Sequence, residues 1–180
     1  MAQDAGALGA RVGTAFKVIA MGVSGCGKST VGRLLADELG GEFLDGDALH
    51  PASNVAKMAS GTPLTDEDRE PWLREIGARL AAAEGTLVIG CSALKVAYRD
   101  LIRAAAPETA FVHLHGSREL LAERMAARTD HFMPVSLLDS QLATLEELEP
   151  DERGAAFDIA ESPQEIAAAA ADWLRSHPTA

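Results

Sequence analysis

A chain of 180 residues, 47% of them apolar and 24% charged, has enough material for one folded domain with a proper core. Its formal net charge of −11 excludes a broad basic surface for nucleic acid, so a polyanionic ligand must meet a local cluster of positive charge. No apolar run approaches the ~20 residues of a membrane span, and two cysteines, Cys26 and Cys91, are too few for a disulfide framework, which points to reduced thiols in a cytoplasmic setting.

In chain order, residues 1–14 are rich in Ala and Gly, lack the apolar stretch of a secretory signal, and read as a loose, disordered extension ahead of a single domain over 15–180. Phe16–Met21 is an apolar run interrupted only by Lys17, the pattern of a buried parallel strand, and it ends at Gly22. Ser29–Leu39 has helical spacing, with Val31, Leu34, Leu35 and Leu39 on one stripe and Gly40 and Gly41 as the stop. A short second strand at Glu42–Leu44 precedes a helix over 51–60. Thr65–Ala83 opens with acids suited to the positive end of a helix dipole and continues through Trp72, Leu73, Ile76 and Leu80, with Pro71 starting or kinking the helix. A third strand at 86–90, a helix at 95–105, a fourth strand at 110–115 and a helix at 117–127 follow. An irregular stretch at 128–134, a helix over 135–145, a last strand at 157–159 and a helix over 163–176 complete the chain. The repeated strand–helix order predicts an α/β fold: a three-layer sandwich, its parallel sheet covered by helices on both faces.

The turn after the first strand carries the most specific signal. Gly22, Val23, Ser24, Gly25, Cys26, Gly27, Lys28 and Ser29 match G-x-x-x-x-G-K-[ST] at every fixed position, with Thr30 next. Glycines let the backbone aim its N–H groups inward, and the helix that follows presents its positive end to the same place, so the loop suits the phosphates of ATP. Lys28 is positioned to reach the β and γ phosphates, and the Ser29 hydroxyl to ligate Mg²⁺. The loop alone does not separate kinase, ATPase, GTPase and sensor. The third strand ends in Gly90, Cys91 and Ser92 where many ATPases have an acid, so a metal-organising carboxylate must come from elsewhere.

Asp45 and Asp47, separated by Gly46, follow the second strand directly. Ligands of parallel sheets bind beyond the carboxyl ends of the strands, so both acids are expected beside the phosphate loop. The expected division of labour gives Asp45 to Mg²⁺, through water, and Asp47 to the substrate hydroxyl as base or orienting group. A plain strand-end turn is the competing explanation for an Asp-Gly-Asp run.

With these residues in hand the sequence resembles the gluconate kinases. The likeness runs from Phe16 to Ile159 and rests on the phosphate loop; on Asp45 to Asp47 with His50, Pro51, Asn54, Lys57 and Met58; on Gly61 to Leu73; on Cys91 to Lys95 with Tyr98, Arg99 and Asp100; and on His131 to Met133 with Ser140, Gln141 and Thr144 to Glu146. The resemblance implies a fold like that of nucleoside monophosphate kinases and shikimate kinase with a small lid at about 124–135. It also implies phosphorylation of D-gluconate by ATP, giving 6-phosphogluconate and ADP, and a homodimer. Two departures stand out: Cys26 replaces the usual Ser of the loop, and Val96 stands where a basic residue often follows the lysine.

The implied substrate has one carboxylate and several hydroxyls. Arg69 is the leading carboxylate candidate because a guanidinium fork matches it, although a pair with Glu70 or Asp66 is the alternative use. His50, Ser92, Lys95 and Gln141 are lesser substrate candidates. Lys57 reads equally as a solvated helix face, His113 and His115 as structural, and Trp72 as core or pocket wall. By likeness to the lid kinases, Arg124 stacks on adenine and Arg128 reaches the phosphates. Alternatives are a kinase for another small hydroxy acid such as shikimate, or a non-catalytic nucleotide-binding regulator; neither nucleic acid nor membrane is expected as a partner.

Overall fold

The computed structural model describes residues 13–127 and 135–179. Five parallel strands form one sheet in the order β2-β3-β1-β4-β5: β1 Lys17–Met21, β2 Glu42–Asp45, β3 Leu87–Gly90, β4 Ala110–His115 and β5 Gly154–Asp158. The helices are α1 Lys28–Leu39, α2 Ala52–Ala59, α3 Asp66–Ala82, α4 Val96–Ala105, α5 Arg118–Ala126, α6 Val135–Thr144 and α7 Pro163–Ser176.

Alternation along the central strand explains the layering. Val18 and Ala20 of β1 pack with Val31 and Leu35 of α1 and with Ile166, Ala170 and Leu174 of α7. Ile19 and Met21 point the other way, onto Trp72, Leu73, Ile76 and Leu80 of α3 and Ile102 of α4. All five residues of β1 are buried, as a strand covered on both faces requires. Lys17 is accommodated because its ammonium reaches the carbonyls of Ala83 and Gly85 at the end of the sheet.

Helix ends follow their local chemistry. Gly40, with φ 66°, closes α1, and capping boxes open α3 (Thr65 with Asp68) and α7 (Ser162 with Glu165). Pro71 neither starts nor ends α3: the capping box starts the helix at Asp66, and the chain passes through Pro71 without interruption. The last strand differs from expectation. It begins at Gly154, ahead of the predicted 157–159, because pairing with Phe111 to His115 of β4 fixes its register, and Gly154, Ala155 and Ala156 carry no strand signature of their own. Arg128, the stretch 129–134 and most of the expected extension lie outside the described residues.

Candidate active site

The phosphate loop leaves the buried end of β1 and enters α1. Gly22, Gly25 and Gly27 have φ of 147°, 84° and 91°, positive values that side-chain-bearing residues rarely adopt and that turn the chain tightly here. Gly27 caps α1, so Lys28, Ser29 and Thr30 form its first turn. The Lys28 ammonium donates to the carbonyls of Gly22 and Val23 at 3.0 and 3.2 Å and lies 3.8 Å from Cys26 Sγ. Cys26 is buried, with its Sγ packed against Gly22. The amide of Gly22 donates to the Ser92 carbonyl at 3.3 Å, tying the loop to the residues after β3.

Sheet register brings the acids to the same edge. Ala20 of β1 and Asp45 of β2 both pair with Gly90 of β3. Gly90 is bare and lies under Lys28: a Cβ there would stand 3.9 Å from Lys28 Cβ and 3.3 Å from Phe43 Cζ. Beyond β2 the chain makes a 3-10 turn, Gly46–Leu49, which sequence reasoning did not anticipate. Asp45 Oδ1 caps it by accepting the Asp47 amide at 3.0 Å. Gly46 is required for close approach, since a Cβ would fall 2.4 Å from the Gly90 carbonyl. Trp72 Nε1 donates to the Gly46 carbonyl at 2.8 Å and fixes the bend from below. Both carboxylates are exposed. Burial pushes the Cys91 thiol up to about 12, with the Lys28 charge opposing and the Asp47 charge assisting.

A second polar cluster continues from Asp47. His50 stacks on Trp72 with ring centroids 4.0 Å apart, and its Nδ1 lies 3.3 Å from Asn54 Nδ2. Burial lowers its pKa, the Asp47 charge opposes that shift and the Arg69 charge adds to it. Arg69 does not pair with Glu70, which holds Arg74. Its Nη1 donates to the Leu64 carbonyl at 2.8 Å and to Tyr98 Oη at 3.4 Å, with the guanidinium over the Tyr98 ring. Tyr98 donates to Asp66, and Lys95 lies 3.4 Å from the same carboxylate. The Tyr98 bond, helped by Lys95, holds the Asp66 carboxyl below its ordinary range, while burial first and Asp66 second raise the Tyr98 phenol. Lys57, read as a solvated face, pairs with Asp68 at 2.7 Å.

Three candidates have other neighbours. Gln141, expected at the substrate, grips Ser24: its Oε1 accepts the Ser24 amide at 2.7 Å and its Nε2 donates to Ser24 Oγ at 3.1 Å. Arg124, at the end of α5, donates to the Ile159 carbonyl at 2.5 Å beyond β5. Ser92 meets the phosphate loop through its carbonyl. Tyr98 and Asp66 entered the sequence reading only as part of a resembling stretch and as a partner for Arg69, with no site role; the signal for their place in this cluster was position, since Tyr98 lies one turn beyond Lys95 and Asp66 opens α3 near Arg69.

A family model described as an AAA domain matches residues 18–148. Among curated proteins, a gluconokinase of Gluconobacter oxydans is 50% identical over 133 residues, 72% of this chain and 74% of the relative. A probable gluconokinase of Xenopus tropicalis is 46% identical over 160 residues, 79% and 84% of the two chains. A solved gluconokinase from Sinorhizobium meliloti superposes with a TM-score of 0.82 at 51% identity, covering 89% of this chain and 92% of that one. A shikimate kinase from Acinetobacter baumannii, at 18% identity and a TM-score of 0.58 over 87% and 91% of the two chains, shares the fold alone.

Proposed function

This chain belongs to the gluconokinase family of P-loop kinases, and from that premise we infer how its residues divide the work of phosphorylating gluconate with ATP. The reaction is ATP-dependent transfer of a phosphoryl group to D-gluconate, with the 6-hydroxyl as acceptor and ADP as the other product. Identities to gluconokinases disfavour the shikimate and regulator alternatives.

The observation that carries the residue-level reading is the pairing of Ala20 and Asp45 with the same Gly90, which aligns the phosphate loop and the acidic turn on one sheet edge. ATP phosphates lie along the loop from Gly22 to Thr30, and Lys28 exchanges its carbonyl partners for phosphate oxygens. Asp47 accepts a hydrogen bond from the acceptor hydroxyl and takes its proton as the bond to phosphorus forms. Positioning dominates in this chemistry, so an exposed carboxylate within reach of the hydroxyl suffices. The carboxylate of gluconate pairs with Arg69, and His50, Ser92 and Lys95 contact its hydroxyls. Arg124 belongs to the adenine side, next to the loop after β5, and Arg128 to the phosphates.

Magnesium fits this donor set. It takes one or two protein oxygens together with water and phosphate oxygens, and Ser29 in the first turn of α1 and Asp45 at the tip of β2 are such donors. Bound there, the ion would neutralise charge on the transferring phosphoryl group. A homodimer and a cytoplasmic setting complete the reading; among the described residues no helix is long and apolar enough to cross a membrane.

The test is ADP release measured by a coupled assay across a panel of sugar acids and shikimate. Release dependent on gluconate supports the reading; ATP binding without substrate-dependent turnover overturns it.

A further inference from the structure

Behind the substrate-side loop lies a charged pair that the proposed chemistry does not use. The side chains of Arg99 in α4 and Glu152 ahead of β5 are both wholly buried. Arg99 Nε donates to Glu152 Oε1 at 2.6 Å, Nη1 to the Ala93 carbonyl at 2.8 Å, and Nη2 to Glu152 Oε2 and the Glu147 carbonyl, each at 3.1 Å. Glu152 Oε2 also accepts the Glu149 amide at 2.8 Å. An interior pair of this kind is a poor route to stability, because apolar residues of similar volume serve as well, so its directional bonds need a use.

The bond to Ala93 supplies one. Among the described residues, Ala93 alone of the non-glycines has a positive φ, 44°. Alanine has no polar side chain to stabilise that conformation locally, so the surroundings must impose it. The residue stands at the pivot of the loop after β3. On one side of it Ser92 receives the Gly22 amide of the phosphate loop; on the other Lys95 reaches Asp66 beside Tyr98 and Arg69. The adjacent Leu94 carbonyl accepts the Glu146 amide at 2.7 Å, so the same 146–152 stretch grips the pivot twice.

We propose that Arg99, with Glu152 as its counter-charge, is a positioning residue for gluconate: it imposes the left-handed backbone at Ala93 that sets Lys95 and Ser92 against the substrate. The proposal rests on the reading of Ser92 and Lys95 as substrate contacts. Arg99 touches neither substrate nor nucleotide; it acts through the loop.

The test compares steady-state kinetics of the full chain carrying Arg99→Met and Glu152→Leu together, which replaces the pair with apolar bulk and avoids an unpaired buried charge, with the same double variant plus Ala93→Gly. Thermal unfolding checks that each is folded. The expected result is a gluconate KM raised about tenfold with ATP KM within about twofold, and recovery of about threefold when glycine, which enters positive φ freely, replaces Ala93. Equal rises in both KM values without recovery by glycine would assign the pair a general structural role and overturn the proposal. So would an unchanged gluconate KM in a folded double variant. Lys95→Ala and Ser92→Ala, run alongside, separate the two failures: if both leave gluconate KM unchanged, the underlying reading of the loop falls and the proposal with it. If they raise it while the double variant does not, the proposal falls alone. If the double variant fails to fold, Arg99→Lys, which keeps the charge and removes the fork, gives the same readout.

Discussion

The indole of Trp72 and the carbonyl of Gly46 are joined at 2.8 Å, so a core residue of α3 holds the backbone between the two acids of the candidate site. Loss of one such bond is worth about 1 kcal/mol. Trp72→Phe keeps the ring against His50 and removes the donor; turnover should fall about tenfold and Tm by about 2–4 °C. Kinetics with calorimetry check this, and a variant with lowered Tm but unaltered turnover would show that the bend does not need the bond.

Asp47→Asn keeps the size of the side chain and removes its basicity. Turnover should fall by about two orders of magnitude or more, with ATP affinity preserved because Asp47 contacts only the acceptor in this scheme. Calorimetric titration with a non-hydrolysable ATP analogue, beside steady-state kinetics, separates the two quantities. Normal turnover would remove Asp47 from its role.

Arg69→Ala should raise the gluconate KM by about tenfold or more and leave that for ATP near the wild-type value. The guanidinium has no carboxylate partner on Glu70, which belongs to Arg74; it contacts the Leu64 carbonyl and Tyr98, and the Asp66 carboxylate lies one hydrogen bond further on through Tyr98. An unaltered gluconate KM would move the carboxylate contact to another cation, with Lys95 the first to examine.

His113 on β4 gives a stability prediction independent of catalysis. Burial, then the charges of His115 and Arg99, lower its pKa from 6.5 to about 4. Between those values the unfolded chain binds a proton that the folded chain lacks, so unfolding free energy declines as pH falls from 6.5 towards 4, by roughly 2 kcal/mol over the window. His113→Leu should flatten that part of the profile. Urea melts at pH 7 and 4.5 measure it, and an identical decline in both proteins would assign the acid sensitivity elsewhere.

Much of this arrangement was legible in the amino-acid order because the informative signals are local. Residues 22–29 specify their own turn, and the apolar run before them and the stripe after them specify strand and helix. The acids at 45 and 47 needed only the rule that parallel sheets bind ligands at their carboxyl edge. What escaped notice depends on distant partners. The Gln141 grip on Ser24 spans 117 positions and the Arg99–Glu152 pair 53, and neither end of either contact advertises the other. The edge strand at Gly154 to Asp158 takes its conformation from β4, so its own small residues gave no hint of where it begins.

The bare tip of β3 bears on how such a site can change over evolutionary time. With Phe43 Cζ standing 3.3 Å from where a Cβ of residue 90 would be, a side chain at this tip requires the ring to give by a few tenths of an ångström. A smaller residue at position 43 would relieve that contact, so what each of the two positions accepts depends on the other. The acids at the tip of β2 and in the turn after it are thereby favoured over a carboxylate on β3, and descendants are expected to vary the rest of the pocket before they move an acid to that strand.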